Sequence, residues 1–360
     1  MISHGADIVE FTKELIQIPT VNPPGEHYEE CVLILEKKCD QLGLETTIID
    51  CDGLPAIIGG DGRGILHFHA HYDVVHADDS QFHPFIKDGM LYGRGSSDMK
   101  GGLAAMLYVM SSIDSPDISF SITADEETGG VHGINCLLQK GLLSPQAVIM
   151  PEVSSNQIWN GCRGAFAAEI RVKGESAHSV HQKRGSNAFI DMMDVVQNFR
   201  NIDPGEGSLL LGGALMGGTQ FNMVPESCSF TIDWRFPPQQ TLSQIKASVY
   251  DVVKKLKEQG KIIECMILLE TEGFYTRPET EICRVMESCV KEIRGSAVRE
   301  ICPGFLDIRY FAFLGISTVA YGPGLLEYAH SPHEYIRIQD LMDAAAIYEL
   351  CAKKILRNSL

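Results

Sequence analysis

The chain is short of positive charge. It sets 30 Lys and Arg against 47 Asp and Glu, a formal net charge of −17. Duplex binding rests on basic side chains that neutralise phosphates, so this balance argues against a nucleic-acid partner. Excess acid favours solubility and attracts cations. Long apolar runs are missing too. None approaches the roughly 20 residues that span a bilayer, which argues against a membrane role. The 11 Cys, scattered from Cys31 to Cys351, form no CxxC pair and no zinc-finger spacing. Their odd number and scatter fit reduced thiols. The opening residues are polar and charged (His4, Asp7, Glu10, Lys13) with no apolar signal core, so a cytoplasmic protein is expected. No internal repeat and no low-complexity tract is found.

What is present suits a large globular fold. In 360 residues, 44% are hydrophobic and 21% charged, enough to bury a core without disulfides or a structural metal. Ile8, Phe11, Leu15 and Ile18 recur at helical spacing, stopped by Pro19. Tyr28, Val32, Leu35, Cys39 and Leu42 form a second stripe, ended by Gly43. Strand-like runs near 44–50, 64–71, 117–124 and 146–150 alternate with helical runs at 100–113 and 131–140. That alternation predicts an α/β layer structure around a largely buried sheet. The texture changes after Gly164. A strand at 165–172, a helix at 186–200, a glycine-rich stretch at 203–218, an alternating strand ending at Phe236, a helix near 241–258 and a strand near 262–270 follow. They predict a small α+β domain inserted into the larger one, which resumes near 275 with helices at 279–293 and 338–356.

Three clusters carry chemistry. His67, His69, His71 and Asp73 alternate, and period-2 geometry puts them on one strand face. Imidazoles are common metal ligands, and a carboxylate can orient the second ring nitrogen. Only some of the three need bind. Asp98 lies in a glycine-rich run just before the helix at 100–113. It is either an N-terminal cap or a carboxylate able to bridge two cations. Asp125, Glu126 and Glu127 follow a strand, and three adjacent acids repel unless something positive sits among them. Glu152 also follows a strand, and His330 lies in a His-Ser-Pro-His-Glu stretch. Open α/β sheets bind ligands beyond the carboxyl ends of their strands, so these groups can converge.

The run from Pro84-Phe85 through Asp88-Gly89-Met90-Leu91-Tyr92-Gly93-Arg94-Gly95-Ser96-Ser97-Asp98-Met99-Lys100-Gly101-Gly102 resembles the di-zinc metallopeptidase family. That family includes acetylornithine deacetylase, succinyl-diaminopimelate desuccinylase, aminoacylase and glutamate carboxypeptidase. The motifs cover nearly the whole chain in the family's order. The resemblance implies a three-layer α/β/α catalytic domain with a mixed sheet, residues 1–164 and 275–360. It further implies a ferredoxin-like lid and dimerisation domain, residues 165–274. It implies two divalent ions, zinc with cobalt or manganese as alternatives. One would be held by His71, Asp98 and Glu152, the other by Asp98, Glu127 and His330. Asp73 would orient His71, and Glu126 would be the general base. Val172 to Ser179 resembles the family's dimer-domain motif, so His178 would reach the partner subunit's active site and polarise the scissile carbonyl. Asn222, Arg235, Gly304 and Arg309 would bind substrate, with Arg309 gripping a carboxylate through its planar fork. The implied activity is hydrolysis of the amide bond of a small N-acylated amino acid, or of a short peptide. The chain departs from the family at His76 and Val153, where Pro is common, and at 303–307, which lacks the usual Gly, Ser and Thr.

Two rival readings make different demands. His67-x-His69 also occurs in TIM-barrel amidohydrolases, but a barrel needs eight βα units, whereas 203–236 is glycine-rich and strand-like. A metallo-β-lactamase would place His directly after Asp73, where Val74 stands. A non-enzymatic binding protein would have lost ligands or base, and none is lost.

Overall fold

The β-rich runs around 66–71 and 118–123 become adjacent strands with every residue buried. The computed structural model describes residues 5–358, so His4 of the polar opening lies outside them. In chain order the elements begin with α1 (Gly5–Ile16), α2 (Tyr28–Gln41), β1 (Thr46–Cys51), β2 (Leu54–Gly59), β3 (Leu66–His71), β4 (Phe85–Lys87), β5 (Met90–Tyr92) and α3 (Lys100–Ser111). Next come β6 (Ile118–Thr123), α4 (Ile134–Gln139), β7 (Ala147–Met150), β8 (Ile158–Cys162), β9 (Gly164–Lys173), α5 (Ala188–Arg200), β10 (Ser208–Gly217), β11 (Ser227–Phe236), α6 (Leu242–Glu258) and β12 (Ile262–Thr271). The last are β13 (Phe274–Tyr275), α7 (Glu281–Arg294), β14 (Arg299–Cys302), α8 (Arg309–Phe313), β15 (Ser317–Ala320), β16 (Tyr335–Arg337) and α9 (Ile338–Asn358). Two compact units result. The first comprises residues up to Gly161, Tyr275–Cys302 and those from Leu306 on; the second comprises Cys162–Phe274 and Pro303–Phe305.

The first unit is built on a mixed sheet in the order β1-β2-β6-β3-β7-β15-β8-β13, with β14 beside β8. The central pairs β6/β3, β3/β7 and β7/β15 are parallel, while β1/β2, β2/β6 and β15/β8 are antiparallel. Period-2 alternation along β3 shows the layers. Phe68 meets Tyr348 of α9, with ring centroids 5.9 Å apart, whereas His67 and His69 meet Phe311 of α8 at 5.7 and 6.0 Å. Helices therefore cover both faces, the three-layer α/β/α arrangement. α3 is buried all round from Lys100 to Met110, as a helix apolar on every face must be. Its one charge, Lys100, donates to the carbonyls of Leu15 (2.9 Å) and Ile18 (2.7 Å), at and just past the end of α1. Burial pushes this ammonium down to about 8. A small sheet, β16-β5-β4, stands apart from the main one.

The second unit runs β9-α5-β10-β11-α6-β12 and forms an antiparallel sheet in the order β10-β11-β9-β12. This is the ferredoxin-like arrangement. Phe166, Ile170, Phe230 and Trp234 on the sheet pack with Val195 and Phe199 of α5 and Val249 and Val253 of α6. The strand β10 occupies the stretch that its glycines mark in the sequence as irregular. The ladder with β11 shifts register between Leu211 and Leu215, and Gly212 there takes φ 78°, a bulge that glycine accommodates.

One expectation is corrected. The cysteines are not all thiols: Cys51, at the end of β1, and Cys136, in α4, are joined as a disulfide with Cα atoms 5.8 Å apart. The two lie 85 residues apart in sequence, so no spacing could reveal the pair; tertiary packing brings them together.

Candidate metal centre

β3, β6 and β7 are parallel, so their carboxyl ends share one edge of the sheet. Each end delivers a ligand type. His71 closes β3, Glu126 and Glu127 form a 3-10 turn after β6, and Glu152 lies two residues past β7. Asp98 arrives from the loop before α3, and His330 from the loop before β16. Among the described residues two groups could hold a cation, His71 with Asp98 and Glu152, and Asp98 with Glu127 and His330. Asp98 belongs to both. Its Oδ1 lies 3.3 Å from His71 Nε2, and its Oδ2 lies 3.1 Å from His330 Nε2. Glu152 Oε2 is 3.4 Å from His71 Nε2, and Glu127 Oε2 is 3.2 Å from His330 Nε2. The alternative reading of Asp98 as a helix cap does not hold, because Met99 occupies the N-cap position of α3.

The spacing fits cations. Two donors each about 2.0–2.1 Å from a tetrahedral centre stand roughly 3.3–3.4 Å apart, close to the separations seen. His71 Nε2, Glu152 Oε2 and Glu127 Oε1 are buried and take no hydrogen bond from any described residue. Leaving such atoms unpaired is costly unless a ligand completes them. His71 Nδ1 faces Asp73, 3.1 Å from its carbonyl and 3.3 Å from Oδ1, which leaves the Nε2 lone pair for the site. Asp73 Oδ2 accepts in turn from Asn22 Nδ2 (2.9 Å) and from the Glu127 backbone (3.2 Å). One carboxylate thereby fixes both a His and the turn that carries two Glu. Nothing in the sequence marks Asn22 for this role, since it stands 51 residues from Asp73 with no motif around it.

The electrostatics are strained toward cations. Burial pushes Glu152 up to about 8, helped by Asp98 and opposed by His71. Burial also raises Glu126 well above the usual carboxyl range, with Asp307, Glu152 and Glu127 adding to it against His71. Hydrogen bonds to Asp98 and Glu127 push His330 up to about 11. Asp98 goes down, because His330 and His71 outweigh its burial. Four carboxyl groups thus share the site with two imidazoles, a surplus of acid that divalent cations would balance. Glu126 belongs to neither ligand group and is 8% exposed. Asp125 turns away. With φ 79°, it takes the Thr128 hydroxyl and the His132 N–H (2.8 Å), closing the turn.

His67 and His69 are not brought to this centre, and their hydrogen bonds say why. His69 Nε2 faces Asp307 Oδ2 at 3.4 Å, so the proton sits on Nε2 and Nδ1 accepts from the Ser121 hydroxyl at 2.9 Å. Ser121 Oγ then accepts from His67 Nε2 (2.8 Å), and His67 Nδ1 accepts from the Ser119 hydroxyl (2.8 Å). In this arrangement each ring nitrogen of His67 and His69 has a hydrogen-bond partner, and no imidazole lone pair remains for a metal. Arg309 also departs from expectation. It is 3% exposed, and its guanidinium donates to the carbonyls of Gly129 and Leu306 (2.9 Å) and stacks on Tyr310. Its fork is thus engaged with backbone that braces the Glu126–Glu127 turn.

The remaining expected residues lie in the second unit. His178 is exposed and its Nδ1 accepts from Val180 N at 3.3 Å. The carbonyl of Asn222 accepts from Ser179 N (2.9 Å), which sets these two segments side by side. Arg235 is half-buried and meets Asp233 through two bonds of 2.8 and 3.2 Å, with Phe305, next to Gly304, under its guanidinium at 5.8 Å.

A mixed α/β/α unit with a two-centre His and carboxylate cluster at its strand ends defines a metal-dependent hydrolase. The family described as Peptidase family M20/M25/M40 matches residues 67–354, and the chain belongs to it. It is a hydrolase of amide bonds. The YXEP protein of Bacillus subtilis, a dinuclear metal-binding peptidase of the M20 family, superposes with TM-score 0.72 at 13% identity, covering 99% of both chains. The chain is 27% identical to acetylornithine deacetylase of Myxococcus xanthus over 333 residues, covering 87% of this chain and 85% of that one. It is 27% identical over 382 residues to succinyl-diaminopimelate desuccinylase of Thioalkalivibrio sulfidiphilus, covering 98% and 99%. The crystal structure of a tripeptidase from Staphylococcus aureus superposes with TM-score 0.84 at 22% identity, covering 99% of this chain and 100% of that one. No helix among the described residues is long and apolar enough to cross a membrane.

Proposed function

We propose that this protein removes the acyl group from small N-acylated amino acids by hydrolysis at a two-metal centre, with Glu126 as general base. The observation that carries the reading is the pair of ligand groups sharing Asp98, with Glu126 buried beside them and in neither. His71, Asp98 and Glu152 would hold one ion, and Asp98, Glu127 and His330 the other. Mixed imidazole and carboxylate donors suit zinc, with cobalt or manganese able to replace it. Such ions supply Lewis acidity that brings the pKa of water toward neutrality. Glu126 then accepts the proton of the attacking water as its oxygen bonds to the acyl carbon. As the C–N bond breaks, Glu126 returns that proton to the leaving amine. Asp73 holds His71 in the tautomer that presents Nε2.

Deacylation is supported by the two curated relatives above, both named for removing an acyl group from an amino acid and both matched over most of their length. The second reading, hydrolysis of short peptides, is supported by the tripeptidase likeness. Both use one metal centre and differ in the pocket. Asn222, Arg235 and Gly304 would bind the substrate. With the Arg309 fork engaged, Arg235 is the better candidate to grip a substrate carboxylate, sharing its guanidinium with Asp233. We further propose a homodimer formed through this unit, with His178 completing the partner subunit's site and polarising the scissile carbonyl. A reducing, cytoplasmic setting is part of the same reading, supported by the scatter of the 11 Cys without a CxxC pair.

The test is amine release from a panel of N-acetyl, N-succinyl and N-formyl amino acids and of di- and tripeptides. The protein would be stripped by chelator and refilled with zinc, cobalt or manganese. Metal-restored turnover of the acylated amino acids supports the first reading, and turnover of the peptides alone supports the second. A protein that takes up no metal refutes both.

A further inference from the structure

Glu334 stands four residues after His330 and is 1% exposed, with no role in either ligand group. A buried carboxylate needs partners, and those of Glu334 all come from the loop that carries Asp98. Its Oε1 accepts from two successive backbone N–H groups, Ser97 (3.0 Å) and Asp98 (3.2 Å). Its Oε2 accepts from Arg94 Nη1, a guanidinium 2% exposed. The stitching is mutual. Glu334 O accepts from Gly93 N (3.1 Å), Tyr335 O from the Ser97 hydroxyl (2.6 Å), and Ser331 O from Gln81 Nε2 (3.0 Å), while Gln81 O accepts from Arg94 N (2.9 Å).

We infer that Glu334 is a positioning residue that sets the distance between the shared ligand Asp98 and His330, and so builds the Asp98–Glu127–His330 half of the site selectively. The inference rests on the two-metal reading above. The selectivity follows from how the other half is made. His71 and Glu152 sit at the ends of two paired, buried strands, so the sheet itself holds their separation. His330 has no such support. Its side chain is 50% exposed, its backbone has φ 62°, and it lies on a loop. What ties that loop to Asp98 is the network centred on Glu334. Groups that orient metal ligands change metal affinity by about 10–100-fold when removed.

The measurement is stepwise Co²⁺ binding to chelator-stripped protein, by chelator competition and visible absorbance, for wild type, Glu334→Ala and Glu334→Gln. Wild type is expected to bind two equivalents. In Glu334→Ala one equivalent keeps its affinity and the other weakens by about 10–100-fold. Glu334→Gln keeps an acceptor for the two N–H groups but turns an amide toward Arg94, and gives the same selective loss in smaller measure. It answers the question should the alanine variant not fold. If both equivalents bind as in wild type, or both weaken alike, the inference is overturned and Glu334 merely stabilises the fold. A wild type that binds no Co²⁺ would instead overturn the metal reading itself, and this inference with it.

Discussion

Replacing Ser121 by Ala tests whether the buried histidine chain is a directed line of hydrogen bonds. The hydroxyl does two jobs. It accepts from His67 Nε2 and donates to His69 Nδ1, and His67, His69 and Ser121 are all 0% exposed. Alanine leaves one N–H and one ring lone pair without partners, in a space closed to water. Each buried unpaired group costs about 1–3 kcal/mol, so the loss should be roughly 2–6 kcal/mol. Ser119→Ala strips only His67 Nδ1 of its donor, and should cost about half as much, ~1–3 kcal/mol. The chain has two Trp, Trp159 in the first unit and Trp234 in the second, both buried. In a Trp234→Phe background, the remaining Trp159 reports from within the first unit, and urea midpoints give the ranking. A Ser121→Ala protein within ~0.5 kcal/mol of its parent, or less destabilised than Ser119→Ala, would refute the proton assignment.

The same histidines make stability depend on pH. Burial holds His67 well below the ordinary histidine value. The unfolded chain then binds a proton below about pH 6.5 that the folded chain refuses, so stability falls as pH drops through that value. The stability read from Trp159 should decline by about 2 kcal/mol between pH 7 and 5 for this one group, and a His67→Leu, Ser119→Ala protein should show a shallower slope. At the metal centre, Glu126→Gln should lower turnover by about 10²–10⁴-fold while both metal equivalents are retained, checked by steady-state kinetics beside metal analysis. Lost metal uptake in that variant would make Glu126 a ligand rather than the base. His178→Ala should be inactive yet fold and bind metal, and mixing it with Glu126→Gln should restore part of the activity. An inactive mixture would remove the role of His178 across subunits.

The layered fold and the six groups that gather at one sheet edge were legible because their signals are local. Parallel strands with His71 at one end and Glu127 and Glu152 just past two others mark a candidate ligand edge through periodicity and the chemistry of the strand ends. What was hidden depends on long-range packing. Asn22 reaches Asp73, and Cys51 reaches Cys136, across distances in sequence that no spacing encodes. The strand β10 was masked by the glycines that its bulge uses. Arg309 reads as a substrate fork in any one-dimensional view. Only the packing of α8 against the Gly129 carbonyl shows that its donors are already engaged.

The three alternating histidines show how far a strand pattern can be read and where it stops. Period 2 places His67, His69 and His71 on one face, and the structure keeps them there. Depth along the strand then decides their chemistry. His71 is the last residue of β3, at the edge where loops bring Asp98 and the residues after β7 bring Glu152. His67 and His69 lie inside, opposite Ser119 and Ser121 of β6 in register. A buried imidazole must have both nitrogens satisfied. A strand neighbour that carries hydroxyls at those two registers satisfies them, where an apolar neighbour would have left them bare. Ser119 and Ser121, and not any weakness of imidazole as a ligand, are what keep two of the three histidines out of the candidate metal centre. The pattern that distinguishes ligand from framework is therefore written on the adjacent strand, 52 residues away.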